Sequence, residues 1–305
     1  KMISVVIPLL NESSLVSDLI RETAENLQLT GEAYEIVCVD DGSTDNTVQK
    51  LLVFRKQDQN VKIVSLSRNF GLQAALTAGL DFAKGDYVIM MDGDFQDPPE
   101  MIPDLFNKIK ETGADIVTAV REQRNEKFSR RLYTEIFHKV FSSVSESEQI
   151  AQSGNFSIMS RKAHQAILKF SERNRYLPGI RNFVGFKQEV IMYDRPERLS
   201  GKAKMSRKKL FALAADAIYS FSKWPIKACL YFGLLGIFIF LAAIVYTFFS
   251  KIMGLAPIGW SSMFLAVSFF GSVQLTFLGL IGEYVYRIFK EVQNRPVYIV
   301  KEVYE

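Results

Sequence analysis

The stretch YVIMMDGDFQDPP, residues 87–99, places a run of apolar residues directly before three carboxylates. Val88, Ile89, Met90 and Met91 have the composition of a buried strand, and Asp92, Asp94 and Asp97 follow at once. Such a junction is either a polar turn that closes a strand or a metal site at the carboxyl end of a sheet. A lone Asp-X-Asp is more often the turn, so the rest of the chain has to decide.

Outward from this stretch the chain alternates. Strand-like runs at 3–7, 35–39, 62–65, 87–91 and 115–119 are separated by helix-like runs at 15–27, 47–54, 72–83 and 99–110. Apolar strands with helices between them specify an α/β fold, a mostly parallel sheet covered on both faces. Ligands on such sheets bind beyond the carboxyl ends of the strands. Two more strand ends are polar. VVIPLLNES carries Pro8, Asn11 and Glu12 after the first strand. CVDDGSTDNT carries Asp40 and Asp41, a turn at Gly42 and Ser43, and Asp45 or Asn46 as a cap for the next helix. In a parallel sheet these three ends share one edge. Carboxylates gathered there need a ligand or cation to offset their repulsion. A hard divalent cation bridging acid and diphosphate oxygens meets that need, and Asp40 and Asp41 can accept hydrogen bonds from a ribose or a base edge. No Walker or GxGxxG loop is present, which argues against an ATPase or a dehydrogenase. Metal and basic side chains would then hold the phosphates, the candidates being Arg68, Arg121, Arg130, Arg131, Lys204 and Arg207.

The C-terminal third has a different character. No charged residue occurs from 228 to 250 or from 252 to 282. Each run is long enough for the roughly 20 helical residues that cross a bilayer core. Lys202, Lys204, Arg207, Lys208, Lys209, Lys223 and Lys227 precede the first run; Arg287, Lys290 and Arg295 follow the second; Lys251 alone lies between. The positive-inside rule puts both termini in the cytoplasm and the short loop outside. The opening ISVVIPLL reads as a strand, with no cleavable signal. Leu210, Phe211, Ala214, Ala217, Ile218, Phe221 and Trp224 have helical spacing, which predicts a helix over 206–224 in the membrane interface or packed on the soluble domain. Gly233, Gly236, Gly271, Gly279 and Gly282 permit close helix packing. The net charge of +4 gives no case for a nucleic-acid partner. Cys38 and Cys229 sit in apolar runs and read as buried residues.

VVIPLLNE, VDDGSTDNT, SRNFGLQAALTAGLDFAKGDYVIMMDGDFQDPPE and SGKAKMSRKKLFALAADAI together resemble glycosyltransferase family 2. The likeness is greatest to its polyprenyl-phosphate branch, the bactoprenol glucosyltransferases and dolichol-phosphate mannose synthases, and extends over the whole chain. The resemblance implies a GT-A fold, Rossmann-like and nucleotide-sugar-binding, over 1–205. It is followed by an interface helix at 206–224, a transmembrane hairpin at about 226–250 and 260–282, and a cytosolic tail at 283–305. Pro8, Asn11, Glu12, Asp40, Asp92 and Arg121 would bind the nucleotide sugar. Asp92, Asp94 and Gln96 alternate, so all three can turn toward one Mg2+ or Mn2+, and Asp97 would cap the next helix. Asp94, Asn155 and Arg131 would form the catalytic set, and Lys204 and Arg207 would meet the acceptor phosphate.

Two departures stand out. Relatives often read Gly-Asp-Phe where this chain has Gly154-Asn155-Phe156, and Ala203 stands where Ser is common. An Asn cannot be a general base, but a phosphate monoester, with a second pKa near ~6, needs no strong one. The implied reaction is inverting transfer of a hexose from UDP-glucose to undecaprenyl phosphate at the bacterial inner membrane, by a multi-pass protein with a cytosolic catalytic domain. GDP-mannose with a dolichyl-type acceptor, another UDP-sugar, a processive polysaccharide synthase and a catalytically silent sugar-nucleotide scaffold stay open as alternatives. A transporter is disfavoured because the spans carry no internal charge. The glycines and a strand-like run at 297–300 suggest a homo-oligomer, such as a tetramer, in which the tail pairs with another chain.

Overall fold

A computed structural model describes residues 1–121, 154–170, 172, 175–193 and 260–305, with scattered positions between 231 and 253. The chain divides into two compact units, residues 1–217 with 296–305, and residues 218–295.

The first unit is built on an eight-stranded sheet in the order β7-β5-β6-β4-β1-β2-β3-β8. The strands are β1 (Met2–Leu9), β2 (Ala33–Asp40), β3 (Val61–Leu66), β4 (Tyr87–Met90), β5 (Ile116–Arg121), β6 (Ser157–Ser160), β7 (Gln188–Tyr193) and β8 (Val300–Tyr304). The helices are α1 (Val16–Gln28), α2 (Thr47–Gln57), α3 (Leu72–Phe82), α4 (Met101–Thr112), α5 (Arg161–Leu168) and α6 (Leu177–Phe183). The four strands β4, β1, β2 and β3 pair in parallel, as their near-continuous apolar runs predict. β6 and β8 are antiparallel to their neighbours, so the sheet is mixed.

Residues of β1 alternate between two cores. Ile3, Val5, Ile7 and Leu9 pack with α1 and α4 side chains such as Leu19, Ile20, Ile102 and Phe106. Val6 faces the other side with Val37, Val39, Ala75 and Leu76. Helix α3 approaches that side closely through Gly79, where an added Cβ would lie 2.2 Å from Val6 Cγ1. The chain winds from β1 outward through β2 and β3, then returns to place β4 on the other flank of β1. This reversal makes the carboxyl ends of β1 and β4 the natural crevice of the sheet.

The tail departs from expectation. The residues at 297–299 are not a strand; β8 begins at Val300 and pairs antiparallel with β3 of the same chain, through Val64 with Val303 and Ser65 with Glu302. The β3 edge was open and apolar, and pairing it in cis removes that liability. Lys62 Nζ lies 2.8 Å from a Glu305 carboxylate oxygen, and the Tyr298 hydroxyl donates to Asp81 at 2.6 Å.

In the second unit, α7 (Trp260–Val292) is a single 33-residue helix. Met263, Val267, Leu275, Leu278, Ile281, Val285 and Ile288 along it are exposed. Glu283 and Arg287 pair at 2.9 Å near its end. Among the described residues no helix is long and apolar enough to cross a membrane. The expected interface helix at 206–224 and Cys229 lie outside the described residues, and the first expected span is described only at scattered positions.

Gly79→Ala is expected to lower the unfolding free energy by about 1–3 kcal/mol, the range for overpacking a close helix–strand contact. Chemical denaturation followed by circular dichroism measures it, and an unchanged midpoint would refute the close-packing role.

Candidate active site

The loops after β1 and β2 are stitched together. Asn11 takes a left-handed conformation with φ 53°. Its N–H donates to Ser43 Oγ at 2.9 Å, and its Oδ1 accepts the Thr44 N–H at 2.8 Å. Glu12 N–H donates to Thr47 Oγ1 at 3.0 Å, and Ser13 N–H to Asp45 Oδ2 at 3.2 Å. Asp45 also accepts the Thr47 N–H at 3.0 Å, while Asn46 stands at the cap position of α2 without a side-chain bond. The turn residues of LLNES and DDGSTDNT therefore hold each other in place.

Asp40 and Asp41 are both buried. Asp40 accepts from Ser43 N–H at 3.1 Å and from Ser65 Oγ at 3.0 Å. Asp41 accepts the N–H groups of Phe70 and Gly71 at 2.7 and 2.9 Å, which sets the entry of α3. Burial raises the Asp41 carboxyl above the usual range, and the two backbone donors oppose that rise. Gly42 has φ +74°, and an added Cβ would lie 2.7 Å from the Arg68 carbonyl carbon. Arg68 stacks over the Phe70 ring at 4.1 Å.

The loop after β4 carries Asp92, Asp94 and Gln96, all half-buried. Gly93 brings it against β1, because a Cβ there would sit 2.7 Å from the Pro8 carbonyl oxygen. This close approach sets the Pro8 carbonyl against the acidic loop. Phe95 is left-handed at φ 60°, and Asp94 Oδ1 accepts the Gln96 N–H at 3.2 Å. Asp97 is not the cap of α4. It is buried, and its carboxylate accepts the Asp92 N–H at 2.9 Å and the Tyr193 hydroxyl at 3.1 Å. Glu100 occupies the cap position, and the Pro98 and Pro99 carbonyls take the first N–H groups, from Met101 and Ile102. Asp97 is instead a clamp across the acidic loop.

Antiparallel β6 delivers Asn155 beside that loop, with its Nδ2 3.5 Å from Asp92 Oδ1. Helices α3 and α6 supply residues that the sequence reading passed over. Gln73 Oε1 accepts the Leu177 N–H at 3.0 Å, and Gln73 Nε2 faces Asn155 Oδ1 at 3.5 Å. Arg181 is fully buried behind Asn155. It donates to Ser157 Oγ at 2.7 Å, Gly154 O at 2.9 Å and Asn155 O at 3.5 Å. Burial pulls its guanidinium down to about 10, so it stays charged at neutral pH. The only hint of this in sequence is an arginine inside the short helix motif LPGIRNF.

Arg121 ends β5 in register with Tyr193. Arg130, Arg131, Lys204 and Arg207 lie outside the described residues. Among the described residues no group of three or more His, Cys, Asp or Glu side chains is arranged to hold a metal alone. Carboxylate and amide oxygens, as in Asp92, Asp94 and Gln96, are the donor type that a hard divalent cation takes.

The mixed α/β sheet, with an acidic loop at its reversal point, has a GT-A-like architecture. The model for "Glycosyl transferase family 2" matches residues 4–175, and the chain belongs to that family. An uncharacterised glycosyltransferase of Synechocystis is 38% identical over 99% of this chain and 95% of its own. A prophage-derived bactoprenol glucosyl transferase of Shigella flexneri is 37% identical, covering 98% of this chain and 97% of its own. A prophage bactoprenol glucosyl transferase homolog of Escherichia coli is 36% identical over 99% of both. In fold, the chain is similar to glucosyl-3-phosphoglycerate synthase of Mycobacterium tuberculosis, solved with Mn2+, UDP and glucosyl-3-phosphoglycerate. That likeness has a TM-score of 0.51 at 18% identity and covers 70% of this chain and 76% of the other.

Asp41→Asn is expected to cost about 1–3 kcal/mol of stability, because one of the two part-buried N–H groups would then face an NH2 donor. Thermal unfolding measures it, and wild-type stability would exclude the double-acceptor role. Gly93→Ala is expected to lower the unfolding free energy by about 1–3 kcal/mol, since the loop must retreat from Pro8. Chemical denaturation measures it, and an unchanged midpoint would mean the loop can retreat without cost.

Proposed function

We propose that this chain transfers a hexose, glucose from UDP-glucose, to undecaprenyl or a similar polyprenyl phosphate at the cytoplasmic face of a bacterial inner membrane. The observation that carries the reading is the reach of the likeness. The family model ends at residue 175, yet the bactoprenol glucosyl transferases align over 98% of the chain, through the apolar C-terminal part.

In this reading residues 1–205 bind the donor, 206–224 lie in the membrane interface, and 226–250 with 260–282 form a transmembrane hairpin. The sheet supports an even number of crossings. β1 and β8 belong to one sheet, which is in keeping with chain segments before and after residues 218–295 on the same side of the membrane in this reading. The uncharged runs and the basic residues around them supply the spans and their orientation.

Asp92, Asp94 and Gln96 would hold Mg2+ or Mn2+, which when bound neutralises charge on the departing nucleoside diphosphate. Pro8, Asn11, Glu12, Asp40 and Arg121 surround the nucleotide in this scheme, with Asn11 and Asp40 acting through the loops they brace. Arg131 would steady the diphosphate, and Lys204 and Arg207 the acceptor phosphate. The acceptor oxygen attacks the anomeric carbon from the face opposite the leaving group, giving inversion. That oxygen is already ionised near neutral pH, so Asn155 orients rather than abstracts a proton. The exposed apolar face of α7 and the helix glycines favour association of several copies.

Membranes containing the protein, UDP-[14C]glucose and undecaprenyl phosphate are expected to form a chloroform-soluble labelled lipid only with Mg2+ or Mn2+. Failure with every nucleotide sugar would remove the enzymatic reading. Asp94→Ala is expected to lower turnover by about 10²–10³, the scale of losing charge stabilisation at a leaving group; wild-type turnover would move the metal elsewhere. UDP is expected to displace the donor better than GDP does, and the reverse order would favour a mannose donor.

A further inference from the structure

Three side chains from three elements form a line that ends at the acidic loop. Leu177 N–H, at the start of α6, donates to Gln73 Oε1 on α3 at 3.0 Å. Gln73 Nε2 faces Asn155 Oδ1 at 3.5 Å, and Asn155 Nδ2 faces Asp92 Oδ1 at 3.5 Å. A carboxamide accepts at one end and donates at the other. A backbone N–H can only donate. Leu177 therefore fixes which end of Gln73 points at it. Gln73 must then present N–H to Asn155, and Asn155 must present N–H to Asp92.

We infer that Gln73 is a positioning residue that carries the polarity of the Leu177 N–H to Asn155, so that Asn155 offers donors and not an oxygen to Asp92 and the phosphates beside it. The inference rests on the glycosyl-transfer reading given above. Arg181 makes the side chain the part still to be set. Its bonds to the carbonyls of Gly154 and Asn155 fix the main chain there, leaving the Asn155 carboxamide to turn about its own bonds. Gln73, Asn155 and Asp92 are all half-buried, so water alone would permit either orientation. The two 3.5 Å contacts are at the long end of the hydrogen-bond range, as catalytic contacts commonly are before substrate tightens them. The consequence is chemical: with its donors forward, Asn155 stabilises the Asp92 carboxylate and developing negative charge, whereas a reversed amide would repel both.

Two near-isosteric variants separate polarity from packing. Gln73→Met keeps length and removes both polar ends. Gln73→Glu keeps the acceptor for Leu177 and reverses the other end, so Asn155 must turn over to meet it. In the full-length protein, kcat is expected to fall about tenfold for Gln73→Met, the scale of one lost hydrogen bond. It is expected to fall about a hundredfold or more for Gln73→Glu, the scale of an inverted electrostatic contact. Mn2+-dependent UDP affinity, measured without acceptor, is expected to weaken in the same order. As pH is lowered, activity of Gln73→Glu relative to wild type is expected to recover, because a protonated Glu donates to Asn155 as Gln does. Equal losses in the two variants, or a relative activity flat with pH at matched melting temperature, would overturn the relay. A wild-type protein without sugar transfer would count against the proposed reaction. The Mn2+–UDP affinities would still decide the relay: the stated order sustains it, and equal affinities in all three proteins refute it.

Discussion

Val5 pairs with Ile89 and Val6 with Met90, so β1 and β4 leave the sheet side by side and their loops must share one crowded space. Everything at the candidate site follows from that pairing. Gly93 is small because the Pro8 carbonyl already fills the position a Cβ would take. Having crossed β1 there, the loop has to reverse, which it does through the left-handed Phe95. Antiparallel β6 pairs on the other flank of β4, through Met90 with Ser157, which puts Asn155 two residues upstream beside Asp92. The two buried flanks fix the strand, and the strand fixes the carboxylates.

The aspartates at these strand ends share their burden unequally. Asp40, Asp41 and Asp97 are buried and held by hydroxyls and backbone N–H groups. They spend their charge on shaping loops, and the low-dielectric surroundings make those bonds costly to break. Asp92 and Asp94 stay half-buried on the loop itself. The edge therefore limits a cluster of like charges by absorbing Asp40, Asp41 and Asp97 into turns. Arg181 adds a buried positive charge behind Asn155, held by the Gly154 and Asn155 carbonyls and the Ser157 hydroxyl.

Local pattern made the fold readable. The apolar runs of β1 to β5 and the helices between them follow from composition and spacing, because the strands are buried over most of their length and α1, α3 and α4 each bury an apolar face. The acidic loop was readable too, since a strand that ends in Asp-Gly-Asp is a local event. What escaped depended on distant partners. Asp97 looks like a cap when only Pro98 and Pro99 are in view, but its clamp involves Tyr193, 96 positions away. Gln73 is an unremarked polar residue in a helix until Leu177 and Asn155 fold against it. Arg181 has the sequence appearance of a surface residue, and only the tertiary structure buries it. The tail suggested a strand, but nothing local could say which edge it would join.

That tail has a consequence for how the protein is made. Synthesis runs from the amino end, and β1 to β4 can pair as soon as residue 90 is available. The partner of β3, Val300–Tyr304, comes only after the whole second unit has been produced. Through that interval the outer edge of β3 is an uncapped strand with its N–H and C=O groups unpaired. The catalytic sheet is thus completed by its most distant segment, and a chain interrupted within the apolar unit would retain an adhesive edge.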